Sequence, residues 1–214
     1  MKFENKHLSC GLLAAVSSII FSPAASASIS SFNDIDYWVG SGSNQAALII
    51  DFNDGKSPEA WAWGYRWNGS KNGGDMILAI AAVDPRMSLV NGGSSTAVFI
   101  TEISYDGSAG LQSGTSDFTF GVDTSWGYYN AIDTAEAVAD NWTAPGIGAS
   151  SRALSDGNWD AWSFGKYDSL TFDHTVPPNT ASAIAAPVPE PETAVALLAV
   201  TALLFASTQR RRRL

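Results

Sequence analysis

Cysteine and histidine are almost absent: the 214 residues contain one cysteine, Cys10, and two histidines. Cys10 lies in an N-terminal segment that we predict to be removed, so the remaining chain can form no disulfide and offers no thiol to a metal ion or a substrate. His174 is the one histidine beyond that segment, so a multi-histidine metal site is excluded and a Ser-His-Asp triad lacks support. We expect His174 to be a surface residue and assign no catalytic residues.

Glutamate is also scarce, since only Glu59, Glu102 and Glu136 fall between residues 28 and 174. A glycosidase needs a pair of carboxyl groups at a defined separation across its groove. Nothing in the spacing of these three glutamates pairs them. A small glycan hydrolase is therefore the least favoured alternative, and we expect no enzyme activity.

Basic residues are few between Ser28 and Pro187, where 18 acidic residues face six basic ones and give a net charge of −12. The whole-chain value of −9 hides this imbalance, because half of the 12 basic residues lie in the two ends of the chain. An acidic surface repels phosphate backbones, which excludes nucleic acid as a partner.

Acidic loops are also the usual source of oxygen ligands for Ca²⁺. Two clusters of Asp and Asn residues lie next to a glycine. Their candidate Ca²⁺ ligands are Asp51 and Asp54 in the first and Asp156 and Asp160 in the second. Neither cluster fits the EF-hand loop, which ends in a glutamate at its twelfth position. Asp and Asn before Gly are equally ordinary turn residues, so calcium stays one of two alternatives and no other cofactor is predicted.

The N-terminus has the three parts of a secretory signal peptide. Lys2 and Lys6 form a basic region, Leu8 to Phe21 an apolar region, and Ala25 and Ala27 flank Ser26 in a small-x-small cleavage site. We predict a signal peptide over residues 1–27, cleaved after Ala27 by signal peptidase.

The C-terminus carries a second targeting signal over residues 188–214. The motif at 188–192 contains Pro189, Glu190 and Pro191, and an apolar stretch over 193–208 predicts a transmembrane-type helix. That stretch covers roughly 25 Å against a bilayer core of about 30 Å, so the span is short. The chain then ends in a cluster that stays cytoplasmic by the positive-inside rule: Arg210, Arg211, Arg212 and Arg213.

This order of proline motif, apolar helix and arginine cluster resembles the PEP-CTERM sorting signal of exported proteins in Gram-negative bacteria. The resemblance implies recognition by exosortase, a membrane-embedded enzyme with a sortase-like role. It also implies a transient inner-membrane anchor, removal or transfer of the tail, and a final place in the outer envelope, the extracellular matrix or the medium.

Between the targeting ends, residues 28–174 predict one acidic, tryptophan-rich domain, and residues 175–187 an extended Pro/Ala linker. The fold class is mainly β, β-sandwich-like or alternatively α+β, with one or two short helices. Predicted helices cover Met76–Val83 and, more weakly, Asn130–Asn141. Predicted strands cover 46–52, 59–67, 96–105, 117–122 and 159–167.

Tryptophan is abundant, and all eight lie in this domain. Strict alternation over 59–67 places Trp61, Trp63 and Trp67 on one strand face, with Trp159 and Trp162 as partners from a second strand. Such a face either stacks on sugar rings or fills a core, since each aromatic buries about 150–250 Å². We therefore expect a secreted envelope or matrix protein with a structural or adhesive role, in contact with extracellular polysaccharide. The alternative is a small-ligand-binding module held at the surface.

Overall fold

The structure, a computed structural model, describes residues 28–94, 96–131, 141–168, 170–171 and 173–189. The predicted signal peptide lies outside these residues, as does the sorting signal from Glu190 onward. Among the described helices, none has the length and apolar character needed to span a membrane.

The described chain is mainly β, as the sequence predicts, with two sheets and one α-helix, α1 (Gly73–Val83). The strands are β1 (Trp38–Gly40), β2 (Asn44–Asp51), β3 (Ala60–Trp67), β4 (Met87–Asn91), β5 (Ile100–Gly107), β6 (Gly110–Thr115), β7 (Thr124–Ala131), β8 (Trp142–Thr143), β9 (Asn158–Lys166) and β10 (Ala183–Ala185).

Seven strands form a large mixed sheet: six lie in the order β1-β3-β2-β9-β7-β8, and the seventh, β10, pairs with β3. β2 lies near its centre, antiparallel to β3 and parallel to β9. β10 and β1 share the outer edge of β3, both parallel to it, at Ala60–Ala62 and Gly64–Arg66 respectively. β4, β5 and β6 form a separate antiparallel three-stranded sheet.

Both faces of the large sheet are covered, which explains why β2 is hydrophobic along its length. On the first face, α1 and the small sheet pack over β3, with Met76, Ile77 and Ile80 of the helix fully buried. On the second face, Ile29, Phe32 and Ile35 from the N-terminal segment cover a layer of small residues such as Ala47 and Ala62.

Helix α1 starts at a reciprocal cap. The Asn72 side chain accepts a hydrogen bond from the Asp75 backbone N–H at 2.8 Å, and the Asp75 carboxylate accepts one from the Asn72 N–H at 3.1 Å. This pairing satisfies two of the free N–H groups at the helix start. The predicted helix over Met76–Val83 is thus confirmed and begins one turn earlier.

Two other predicted elements differ from the structure. Asn130 and Ala131, at the start of the weaker predicted helix, belong to β7, and residues 132–140 lie outside the described chain. The predicted strand over 117–122 is instead the loop between β6 and β7. The loop is closed by the Asp117 side chain, which accepts from the Thr119 N–H at 2.9 Å.

The predicted linker over 175–187 is wrong as an extended segment, because it packs on the domain. Val176 lies against Gly165, and the Asn179 N–H donates to the Asp51 carboxylate at 2.7 Å. β10 then adds a strand to the sheet, and Ala186 is fully buried in the first-face core. The folded body therefore extends past residue 174 to about Pro187.

Candidate functional site

The predicted tryptophan platform is inside the protein. Trp61, Trp63 and Trp159 have no exposed surface, and Trp67 and Trp162 are 3% and 4% exposed. Trp63 Nε1 donates to the Asp84 carboxylate at 3.0 Å, and Trp61 Nε1 donates to Gln112 Oε1 at 2.6 Å. These five residues belong to the core, as the alternative interpretation held, so the prediction of an exposed platform is wrong. Trp162 also lines one wall of a cleft beside the large sheet.

The four calcium candidates each have a partner inside the protein. Asp51 is fully buried and accepts the N–H groups of Asn53 and Asn179, and burial raises its pKa to about 6. Asp54 accepts from Gln112 at 3.1 Å, and Asp156 accepts from the Gln45 N–H at 2.8 Å. Among the described residues no group of three metal-ligating side chains converges. These carboxylates close turns and join strands.

A different set of aromatic residues reaches solvent. Phe99 precedes β5, Phe118 lies in the loop between β6 and β7, and Tyr167 and His174 pair with each other just beyond β9. Successive ring centroids are 6.1 Å, 5.7 Å and 5.9 Å apart from Phe99 through Phe118 and Tyr167 to His174. Phe99 is 54% exposed and Phe118 is 51% exposed. We call these four residues the aromatic row.

The aromatic row borders a cleft beside β7. β9 pairs with β7 along its whole length, and on the opposite edge of β7 the described partners are β8 at Asn130 and Ala131 and an isolated bridge from Asp117 to Thr124. The cleft has a volume of about 370 Å³. Trp126, Tyr128 and Trp162 line it from the large sheet, Ile147 lines it from the loop after β8, and Phe99 and His174 belong to both cleft and row. We call it the β7 cleft.

His174 is half-buried and lies over Gly127 of β7, where a Cβ atom would come within 2.6 Å of the imidazole Cγ. Burial lowers the pKa of His174, and the nearby Asp173 carboxylate opposes that effect. The neutral ring therefore predominates at pH 7. The expectation of a surface histidine holds only in part, since one side of the ring packs on the sheet.

Behind the cleft lies a buried polar cluster. The Tyr128 hydroxyl donates to Asp160 Oδ2 at 2.5 Å, and the Arg152 guanidinium lies 3.1 Å from Asp160 Oδ1. Burial raises the pKa of Asp160 to about 6, although the Arg152 charge and the Tyr128 hydrogen bond act against it. Burial and the Asp160 charge raise the pKa of Tyr128. The cluster fixes the Tyr128 ring that forms a wall of the cleft.

This arrangement suits binding by surface contact. Aromatic faces supply apolar area with few rotatable bonds, while Asp173 and the backbone of the loop at Gly146 and Gly148 supply polar groups at the rim. Among the described residues that line the cleft, Asp173 is the one carboxylic acid. A two-carboxylate glycosidase arrangement is not assembled by these residues.

The aromatic row cannot be recognised as a group in the sequence, because its members are far apart in the chain: Phe99, Phe118 and Tyr167 fall in three separate predicted strands, and His174 follows them. One signal was available: Phe118, Phe120 and Val122 are apolar residues inside a loop rich in Asp, Ser and Gly. All three are exposed, at 51%, 89% and 42%. Apolar side chains in a loop that nothing covers mark an interaction surface.

Comparison of the chain with family models, with curated proteins and with solved structures finds no match in any of the three.

Proposed function

We propose that this is an exported envelope or matrix protein whose domain contacts extracellular polysaccharide through the aromatic row and the β7 cleft. The observation that carries the proposal is a run of four aromatic rings, two of them more than half exposed, that continues into an aromatic-lined cleft. Sugar rings stack on such faces through their C–H groups, and flanking carboxylates accept hydrogen bonds from their hydroxyl groups. Asp117, Asp168 and Asp173 stand beside the row as exposed carboxylates.

The charge of the surroundings favours a neutral glycan over an anionic surface. Residues 28–187 carry a net charge of −12, and the loops that bear the row contribute four aspartates, Asp117, Asp123, Asp168 and Asp173. Anionic lipid headgroups and nucleic-acid phosphates are repelled by this potential. A polyhydroxylated ligand without charge avoids that cost.

The export part of the proposal rests on the two targeting signals. Residues 1–27 supply the signal peptide, and residues 188–214 supply a PEP-CTERM-like tail that exosortase processes. Deleting residues 189–214 is expected to alter anchoring or release in a host with an exosortase. Unchanged localisation of the deletion variant in that host would contradict the sorting proposal.

Glycan contact is tested by titrating soluble polysaccharides of different linkage against intrinsic fluorescence, because Trp126 and Trp162 line the cleft and report on its occupancy. We expect saturable changes with at least one neutral polysaccharide. Phe118→Ala should weaken them, whereas Phe120→Ala, in the same loop and outside the row, should not. No response across a broad panel would overturn the proposal.

A second candidate is a small-ligand module held at the surface, and the cleft volume of about 370 Å³ favours it. Ligand sites of small molecules usually span about 300–1,000 Å³. The two candidates differ in the length of ligand they need. Equal affinity for a monosaccharide and its polymer supports the small-ligand module, while affinity that grows with chain length supports the polysaccharide contact.

A further inference from the structure

The two ends of the described domain meet at one edge of the large sheet. β10 pairs with Ala60–Ala62 of β3 on one side. On its other side, Ser28 forms an antiparallel bridge with Ile184, and the Ile29 N–H donates to the Ala183 carbonyl at 2.9 Å. The first residue after the predicted signal-peptide cleavage is therefore bonded to the last strand of the domain.

Arg86 fixes the chain just beyond β10. Its guanidinium donates to both oxygens of the buried Asp84 carboxylate at 2.8 Å, and to the Pro187 carbonyl at 2.6 Å. The guanidinium carbon also lies 5.2 Å from the ring centroid of Tyr105. This bidentate ion pair holds the donor in one orientation toward Pro187. We call the contact of Arg86 with Pro187 the Arg86 clamp.

Protection of the backbone ends at the clamp. The Ala186 N–H donates to the Ala62 carbonyl at 2.9 Å, and Ala186 is fully buried. Val188, two residues later, is 58% exposed. A protease must bind several residues in extended form, so peptide bonds within β10 are cleaved only when the strand has left the sheet.

We propose that the folded domain limits proteolytic processing of its own C-terminal tail, so that cleavage occurs beyond Pro187 and the mature protein retains β10. The step is hydrolysis: water adds across a peptide C–N bond, leaving a new carboxylate on the domain and a new amine on the tail. Residues 188–192 separate the clamp from the predicted membrane helix and span at most about 18 Å. The processing enzyme would therefore act close to the folded body.

The test uses the full chain in detergent micelles, treated with low amounts of proteinase K and followed by intact mass. We expect new C-termini only beyond Pro187, with cleavage between Asn179 and Ala186 at least about tenfold slower than cleavage beyond it. The urea-unfolded chain is the control, since there the bonds after Ala181, Ala183 and Ala185 should be cut readily. Folded protein that is cut at these bonds at a comparable rate would overturn the proposal.

The clamp itself is tested by Arg86→Ala, with Arg66→Ala as the matched control. Arg66 is an exposed arginine on β3 that lies over Trp38, in the part of the strand that pairs with β1 and not with β10. We expect Arg86→Ala to raise cleavage between Asn179 and Ala186 at least about tenfold and Arg66→Ala to leave it unchanged. Equal cleavage rates between Asn179 and Ala186 in the two variants would show that Arg86 does not protect β10.

Arg86→Ala leaves the buried Asp84 without its cation and could unfold the domain. Hydrogen exchange of the unmodified protein is then the deciding measurement. The Ala186 amide should exchange as slowly as the amides of β3. Fast exchange would contradict the proposal that the folded domain protects this segment from cleavage. Neither result depends on glycan binding. A failed polysaccharide titration would not affect the proposal that the domain limits cleavage. Rapid cleavage within β10 would not affect the proposal that the aromatic row binds polysaccharide.

Discussion

The aromatic residues of β3 and those of the aromatic row have similar chemistry and opposite surroundings. Trp61 and Trp63 lie beneath the small sheet, with the Tyr105 ring 4.9 Å and 5.1 Å from theirs. Phe99 and Phe118 lie outside both sheets, one just before β5 and the other in the loop between β6 and β7, and each is more than half exposed. The covering elements, and not the aromatic content of the segment, decide which set is available to a ligand.

The comparison also separates the ways in which these rings contribute. Each tryptophan of β3 that hydrogen-bonds does so with a buried acceptor, Gln112 or Asp84, and so it holds the small sheet and the segment after α1 in place. The rings of the row contact one another, and His174 also packs on Gly127 of β7. Removing a ring from the first set should therefore affect folding, and removing one from the second should affect binding.

The largest expected effect comes from Trp63→Ala. It removes a fully buried ring and leaves a cavity against Tyr105, which typically costs about 3–5 kcal/mol of unfolding free energy. Urea-induced unfolding measures the loss. Trp63→Phe is the matched variant: it keeps one aromatic ring in the core, loses the rest of the indole and the hydrogen bond to Asp84, and should cost less. A loss below about 1 kcal/mol for the alanine variant would mean that this face is not the core.

The next effect concerns pH and the two buried carboxyls. Burial raises the pKa of Asp51 and of Asp160 from 3.8 to about 6 in the folded protein. Between these values the folded state holds protons that the unfolded state has released, so stability falls as pH rises from about 4 to about 6. The loss is on the order of 2 kcal/mol for each group. His174, whose pKa is lowered, acts in the opposite sense near its ordinary value.

Thermal unfolding at intervals between pH 4 and pH 7.5 tests this dependence. Asp51→Asn should flatten the slope, because an amide takes up no proton in this window. Asp117→Asn is the control, since Asp117 is exposed and hydrogen bonds to Thr119 lower its pKa, so its titration falls below the window. An Asp51→Asn variant with the slope of the unmodified protein would show that Asp51 does not titrate there.

The sequence predicts β3 and α1 in the buried region. It does not predict which other elements pack against them. Alternation over 60–67 predicts β3, and the Gly73-Gly74-Asp75 start with the Asp84-Pro85 stop predicts α1. β10 is only three residues long, Ala-Ile-Ala, and is too short to show periodicity. No local pattern in the sequence indicates its long-range pairing with β3. β7 was not predicted from the sequence. Its Gly127 leaves room for the His174 ring, but that ring comes from a distant part of the chain and no local pattern shows the contact.

The candidate site was missed for the same reason. Exposure of Phe118 depends on which element lies above the loop, and sequence reports only that the residue is apolar. The predicted tryptophan platform failed because α1 and the small sheet close over Trp61 and Trp63, while Phe32 stacks on Trp159 from the other face of the large sheet. Aromatic residues on one face of a strand can be assigned to binding only when it is known whether other elements pack over that face.

A smaller loss of stability is expected from Gly64→Ala, on the second face of the large sheet. Gly64 of β3 lies under the Trp38 ring, and a Cβ atom there would come within 2.2 Å of it. Gly64→Ala therefore forces the ring or the strand to move, at a cost of about 1–3 kcal/mol. Gly148→Ala is the matched control, because nothing lies within 4 Å of the position its Cβ would occupy. Denaturant midpoints of equal value for the two variants would show that Trp38 does not pack there.

The smallest effect on folding and the most direct test of the row is Phe118→Ala. The side chain is half exposed and its ring packs against the rings of Phe99 and Tyr167 outside the buried core, so its loss should change the unfolding free energy by about 0.5 kcal/mol or less. An aromatic contact with a ligand is worth about 1 kcal/mol, so polysaccharide affinity should fall about fivefold. Phe120→Ala removes a more exposed ring from the same loop and should leave affinity unchanged. If Phe118→Ala instead lowers stability and spares binding, the row belongs with the tryptophans of β3 as structural packing, and the distinction between the two regions is lost.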